Sequence, residues 1–229
     1  MADAPLPNDA AGHRARLRAR LLESEGTALA DYELLEYLLM LGLPRIDTKP
    51  LAKALLAEFG DLRRVLTARP DELARVKGIG DSGAGALVIA RATATALLAA
   101  PLSNAPMLAG WQALLDYLRA DMSWLTIERI RVLHLNGKNV LMRDEIVSEG
   151  TVDQAALQVR EVIRRALEIG SSSLILVHNH PTGDPQPSRA DIQLTRDIVE
   201  AGKRLGVAVH DHIIIGANGH VSLRAQGLM

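Results

Sequence analysis

The chain has no cysteine among its 229 residues, so disulfides and every thiolate-held metal site are excluded, and with them the cysteine-ligated zinc nucleobase deaminases. Aromatic residues make up only 3%, against 48% hydrophobic overall, so the core must be built from Leu, Ile, Val and Ala. Charge of one sign is missing as well. Lys and Arg number 26, Asp and Glu 27, and the two halves of the chain are each close to neutral, so the bulk electrostatics do not advertise nucleic-acid binding. No apolar run is read as approaching membrane-span length, and Met1-Ala2-Asp3-Ala4-Pro5 lacks the charged and apolar regions of a signal peptide. The expectation is a cytoplasmic protein without membrane contact.

What is present divides near Pro101–Pro106, a polar segment bracketed by prolines. Before it the pattern is helical: a basic stretch over 14–22, a helix capped by Asp31, another from Pro50 to Phe59-Gly60, short ones over Leu62–Leu66 and Pro70–Val76, and a last one over Ala84–Ala99. After it helices and strands alternate. Gly110–Leu118 reads as a helix, and Ile130–Leu135 and Val140–Met142 as strands turning at Asn136-Gly137, with a third strand over Asp144–Ser148. Gln158–Ile169 is helical, then come the apolar strand Leu174–Val177, a helix over 188–205, a strand Val207–Ile215, and a turn through Gly216–Gly219 into a short terminal strand. The fold class is therefore α+β, with domains at 1–102 (small, all-α) and 107–229 (a mixed central sheet flanked by helices).

The strand Leu174–Val177 runs into His178-Asn179-His180-Pro181. A strand has period two, so His178 and His180 project from one face, about 6 to 7 Å apart along it. Pro181 ends the strand, and a Pro/Gly loop leads to Ser188, a good helix N-cap, with Asp191 in the first turn beyond. Ser188 and Asp191 also have capping-box spacing. Two imidazoles and one carboxylate form an N/O set suited to Zn²⁺ with a fourth position open to water, the mark of a catalytic rather than a structural zinc. His-Asn-His as adjacent letters is no evidence for the nuclease family of that name, and a single-metal site does not favour a nuclease. A second pair, His210-Asp211-His212, has no third ligand at usable spacing, so Asp211 or His212 is assigned a supporting or packing role.

At these residues the chain resembles the JAMM, or MPN-plus, zinc metallopeptidases, whose signature is His-x-His, seven residues, Ser-x-x-Asp; His178 to Asp191 match it in spacing. Within them it resembles the bacterial RadC-like (UPF0758) proteins. The resemblance rests on His-Asn-His-Pro-Thr-Gly-Asp-Pro-x-Pro-Ser, Asp211–Gly216, Gly227-Leu228, Glu33-Leu34-Leu35 and Gly78-Ile79-Gly80. It implies a JAMM/MPN domain binding one zinc per chain through His178, His180 and Asp191, with zinc-activated water attacking a peptide or isopeptide bond in a protein or peptide substrate. Ser188 would donate to the oxyanion and Glu128 would act as general base, with Glu145, Glu149 and Glu161 as alternatives. It also implies a helix-hairpin-helix at Leu73–Ala84, in which Gly78 and Gly80 let a phosphate approach and Lys77 adds charge. Asp81 sits where a basic or neutral residue is usual, so weak, non-specific DNA binding and a purely structural or docking role both stay open. The alternative to hydrolysis is a non-catalytic, DNA-associated repair accessory protein with a zinc-binding domain.

Overall fold

A computed structural model describes residues 9–103, 106–107, 110–150, 157–217 and 219–229. Met1–Pro5, Asn104 and Ala105 of the segment between the prolines, and Asn218 of the last expected turn lie outside the described residues. Two compact units divide between Ala94 and Thr95. The division falls upstream of the prolines because Ala99 and Leu102 join the core of the second unit.

The first unit is all-helical: α1 (Asp9–Ser24), α2 (Asp31–Gly42), α3 (Lys49–Phe59), α4 (Leu62–Thr67), α5 (Pro70–Arg75) and α6 (Gly80–Ala99), whose last turns continue past the division. Leu35, Leu39, Leu55, Val65, Leu73, Ile79 and Leu87 form its core, an aliphatic one as the shortage of aromatics requires. Asp31 is not the cap of α2. That place belongs to Ala30, whose N–H donates to the Glu33 carboxylate, leaving Asp31 as the first helical residue. The expectation about membrane-length runs is corrected here. Gly80–Leu102 is long and apolar enough to cross a membrane by length and composition, because its many alanines add hydropathy without the bulky residues that make a run conspicuous. Gly83, Ala84 and Leu87 of this helix are buried in the helical core, and Arg91 donates to the carbonyls of Leu66 and Ala68.

The second unit holds α7 (Trp111–Met122), β1 (Glu128–Leu135), β2 (Leu141–Gly150), α8 (Val159–Ile169), β3 (Ser173–Asn179), α9 (Arg189–Arg204), β4 (Ala208–Gly216) and β5 (Gly219–Ser222). The strand order is β2-β1-β3-β4-β5, with only β3 and β4 parallel. The expected strands over Val140–Met142 and Asp144–Ser148 are one strand, β2, which keeps pairing with β1 through two register shifts. The hairpin turn is also longer than the Asn-Gly pair suggests. Asn139, not Gly137, takes the left-handed conformation, and the Asn136 carboxamide accepts from the N–H groups of Lys138 and Val140.

Strand alternation sorts the core into two layers. Leu133, Leu135, Ile175, Val177, Ile213 and Ile215 pack with α7, while Val132, Leu174, Leu176 and Val209 pack with Val162, Ile163 and Ala166 of α8 and Ile198 of α9. All seven residues of the central strand β3 are buried. The parity that sends Leu174 and Leu176 toward α8 and α9 sends His178 the same way, toward the helix whose first turn carries Asp191.

Candidate metal centre

β3 ends at Asn179, and Pro181 begins a loop whose Gly183 takes a positive φ and whose backbone holds Ala217 after β4. The loop delivers Ser188 as the N-cap of α9. Its hydroxyl accepts from the Asp191 N–H and donates to Asp191 Oδ2 at 2.6 Å, while the Ser188 N–H donates to the same carboxylate oxygen at 2.7 Å. The capping box therefore forms, and the geometry that satisfies the helix end also fixes the carboxylate. Asp191 reaches both imidazoles: His178 Nε2 lies 3.4 Å from Oδ1 and His180 Nε2 lies 3.6 Å from Oδ2. His178, His180 and Asp191 each offer one ligand atom within 4.8 Å of the others.

The hydrogen-bond partners dictate which ring nitrogens carry protons. The Thr195 hydroxyl donates to the Asp191 carbonyl one turn back, at 2.5 Å, which uses its only proton. It must then accept from His212 Nδ1, also at 2.5 Å. His212 Nε2 is left as an acceptor and takes the proton of His178 Nδ1 at 2.8 Å. His180 Nδ1 donates to the Asp184 carbonyl at 2.8 Å. In their neutral forms both histidines therefore present unprotonated Nε2 atoms, which face each other at 2.9 Å. Two lone pairs at that distance need a positive centre between them, which either a proton or a metal ion supplies. Zinc bound at 2.0–2.1 Å by nitrogen or oxygen in a tetrahedron separates its ligand atoms by about 3.3 Å, inside the range seen for these three groups. The residues fit the ion.

The electrostatics agree. Burial lowers His178 to about 4 despite the neighbouring Asp191, and lowers His212 to about 3, so both rings are neutral near pH 7. The Asp191 carboxylate, 3.6 Å from Nε2, raises His180 against the effect of its partial burial. Burial alone pushes Asp191 up, but the neighbouring His180 and His178 rings and the two bonds from Ser188 outweigh it and hold the carboxyl below the usual carboxylate range.

Glu128 opens β1 beside this group. Its pKa is raised, first by burial and then by the charge of Asp191, with His180 opposing. Among the described residues its carboxylate accepts no hydrogen bond. The other glutamates are engaged elsewhere: Glu145 with Arg165, Glu149 with Arg129, and Glu161 with Arg164. Ser188 is in place, but its proton goes to Asp191, so donation to an oxyanion requires that bond to be exchanged. Of the second His-x-His pair, His212 supports His178, Asp211 accepts from the N–H groups of His212 and Arg224 and from the Ser222 hydroxyl, and His210 bonds Asn139. Thr195 went unremarked in the sequence, although its place four residues after Asp191 puts it on the same face of α9.

Lys77, Gly78 and Gly80 stand in the helical unit, exposed on the turn between α5 and α6, where both glycines take positive φ. Asp81 follows in the first turn of α6, where it opposes a phosphate.

A RadC-like JAB domain model matches residues 108–228, and a UPF0758 N-terminal model matches residues 11–84. A UPF0758 protein of Ruegeria pomeroyi is 46% identical over 224 residues, covering 98% of this chain and the whole of the relative.

Proposed function

Because the chain belongs to the UPF0758 family of proteins with a RadC-like JAB domain, we propose that it is a zinc-dependent hydrolase of JAMM type acting on a peptide or isopeptide bond. One observation carries this reading: two Nε2 atoms, each left as the acceptor nitrogen of its neutral ring by a fixed partner on Nδ1, converge with the Asp191 carboxylate. His178, His180 and Asp191 hold one zinc per chain and leave a position open. Zinc bound there supplies Lewis-acid chemistry, lowering the pKa of water and polarising a carbonyl. Glu128, whose carboxylate accepts no hydrogen bond among the described residues and whose pKa is raised, takes the proton of the attacking water and returns it to the leaving amine. Ser188 exchanges its bond to Asp191 for one to the developing oxyanion, a stabilisation that grows toward the transition state.

The substrate is a protein or peptide, and the chain acts in the cytoplasm away from the membrane. Arg91, in the middle of the span-length helix Gly80–Leu102, is tied to carbonyls of the helical core rather than left to face lipid. Protein purified without chelator is expected to carry one zinc per chain by metal analysis, and Asp191→Ala to carry none. A zinc-free wild type sinks the reading. Proteomic comparison of cells carrying wild type or His178→Ala is expected to name the substrate among the proteins that accumulate uncut.

The Gly78-Ile79-Gly80 turn supports a second reading, in which the helical unit holds duplex DNA weakly through its phosphates and the zinc domain only binds.

A further inference from the structure

Asn179 is 1% exposed at the end of the central strand of an apolar sheet, a setting in which Val or Ile packs better and a carboxamide needs every bond satisfied. Strand alternation turns it away from the two histidines beside it, toward the face covered by α7. There its Oδ1 accepts from the Arg129 N–H at 2.9 Å, and its Nδ2 donates to the Ile127 carbonyl at 3.0 Å and the Leu125 carbonyl at 3.5 Å. Arg129 and Ile127 are the two neighbours of Glu128. The backbone ladder between β1 and β3 begins only at Ile130, opposite His178. Over Glu128 and Arg129, β1 is paired with β2 through Gly150 and Glu149, and on its β3 side the Asn179 side chain supplies the contact.

We propose that Asn179 is a positioning residue, a clamp that holds the backbone on both sides of Glu128 and so places the Glu128 carboxylate beside the group formed by His178, His180 and Asp191. The inference rests on the hydrolase reading of that centre. One residue thereby ties the ligand strand to the base: β3 carries the two histidines, and the residue between them fixes the segment that carries the glutamate. A peptide held on both flanks swings little, and a carboxylate that makes no hydrogen bond among the described residues depends on its backbone for position.

The full chain loaded with Co²⁺ in place of zinc tests this without a known substrate, by the pH dependence of its d–d absorption. Wild type is expected to bind one Co²⁺ per chain, and Glu128→Gln to shift the midpoint of the spectral pH transition. Asn179→Ala is expected to keep one Co²⁺ per chain, to shift the midpoint in the same direction by at least half as much, and to add nothing when combined with Glu128→Gln. Asn179→Ser, which keeps a polar atom at the site, serves in its place should the alanine variant not fold. A midpoint unmoved by the Asn179 variants while Glu128→Gln moves it overturns the clamp and leaves the hydrolase reading standing, as do additive shifts in the double variant. Failure of wild type to bind Co²⁺, or a midpoint unmoved by Glu128→Gln, overturns the reading of the centre and the clamp with it.

Discussion

His212 is not one of the three converging groups, yet it decides which nitrogen of His178 faces the other two. Its Nδ1 proton is committed to Thr195, so its Nε2 has to accept from His178 Nδ1, and the ligand tautomer follows. His212→Ala removes that acceptor, and Thr195→Val removes the group that orients it. Each substitution is expected to weaken zinc binding about 10- to 100-fold, the usual cost of losing a group that orients a ligand. Titration against a chromophoric chelator measures it, and unchanged affinity in both variants shows that the tautomer is set by something else. At this scale the sequence was legible for the three converging groups and for a supporting or packing role at Asp211 or His212, and opaque for Thr195 and Asn179. His178, His180 and Asp191 lie within fourteen residues and carry a recognisable spacing. Thr195, Asn179 and His212 act through distances that exist only once α9, β1 and β4 are packed on β3.

At the scale of elements, the turn between α5 and α6 is where the DNA reading is tested. Gly78 is a poor probe, because a methyl group there meets Leu51 Cδ2 at 2.9 Å and its φ of +92° disfavours any side chain. Loss of binding in a Gly78 variant is therefore ambiguous with loss of structure. Lys77 is exposed, and its replacement leaves the turn intact. Lys77→Ala is expected to weaken duplex binding and to reduce the dependence of log K on log salt by about one contact's worth. Binding by fluorescence anisotropy that is salt-independent, or unchanged in the variant, removes this surface from consideration. Most elements of both units could be read from hydrophobic periodicity and from Pro and Gly. The merging of two expected strands into β2 could not, because the residues at its register shifts break the alternation that signals a continuous strand.

For the molecule as a whole, the buried imidazoles couple stability to pH. In the unfolded chain His178 and His212 take up protons near pH 6.5, but in the folded chain only near about 4 and about 3. Below pH 6.5 the unfolded state binds more protons, so stability present above that pH is lost as pH falls. The loss is roughly 2 kcal/mol per histidine by pH 5, partly offset by His180, whose raised pKa acts in the opposite direction. Metal-free protein is expected to show a falling Tm between pH 7 and pH 5 by calorimetry, and zinc added at pH 7 to raise the Tm. A Tm independent of both pH and zinc contradicts the buried neutral site.

By itself the sequence determined the α+β class, the aliphatic core and the identity of three converging ligands, because each depends on residue type and short-range spacing, which periodicity and capping chemistry convert directly into geometry. Only the tertiary structure decided which glutamate stands beside those ligands, which nitrogens are free of protons, and that the residue between the two histidines grips the backbone around Glu128. Those facts depend on strand order and register, where residues 17 to 54 positions apart in the chain become hydrogen-bond partners.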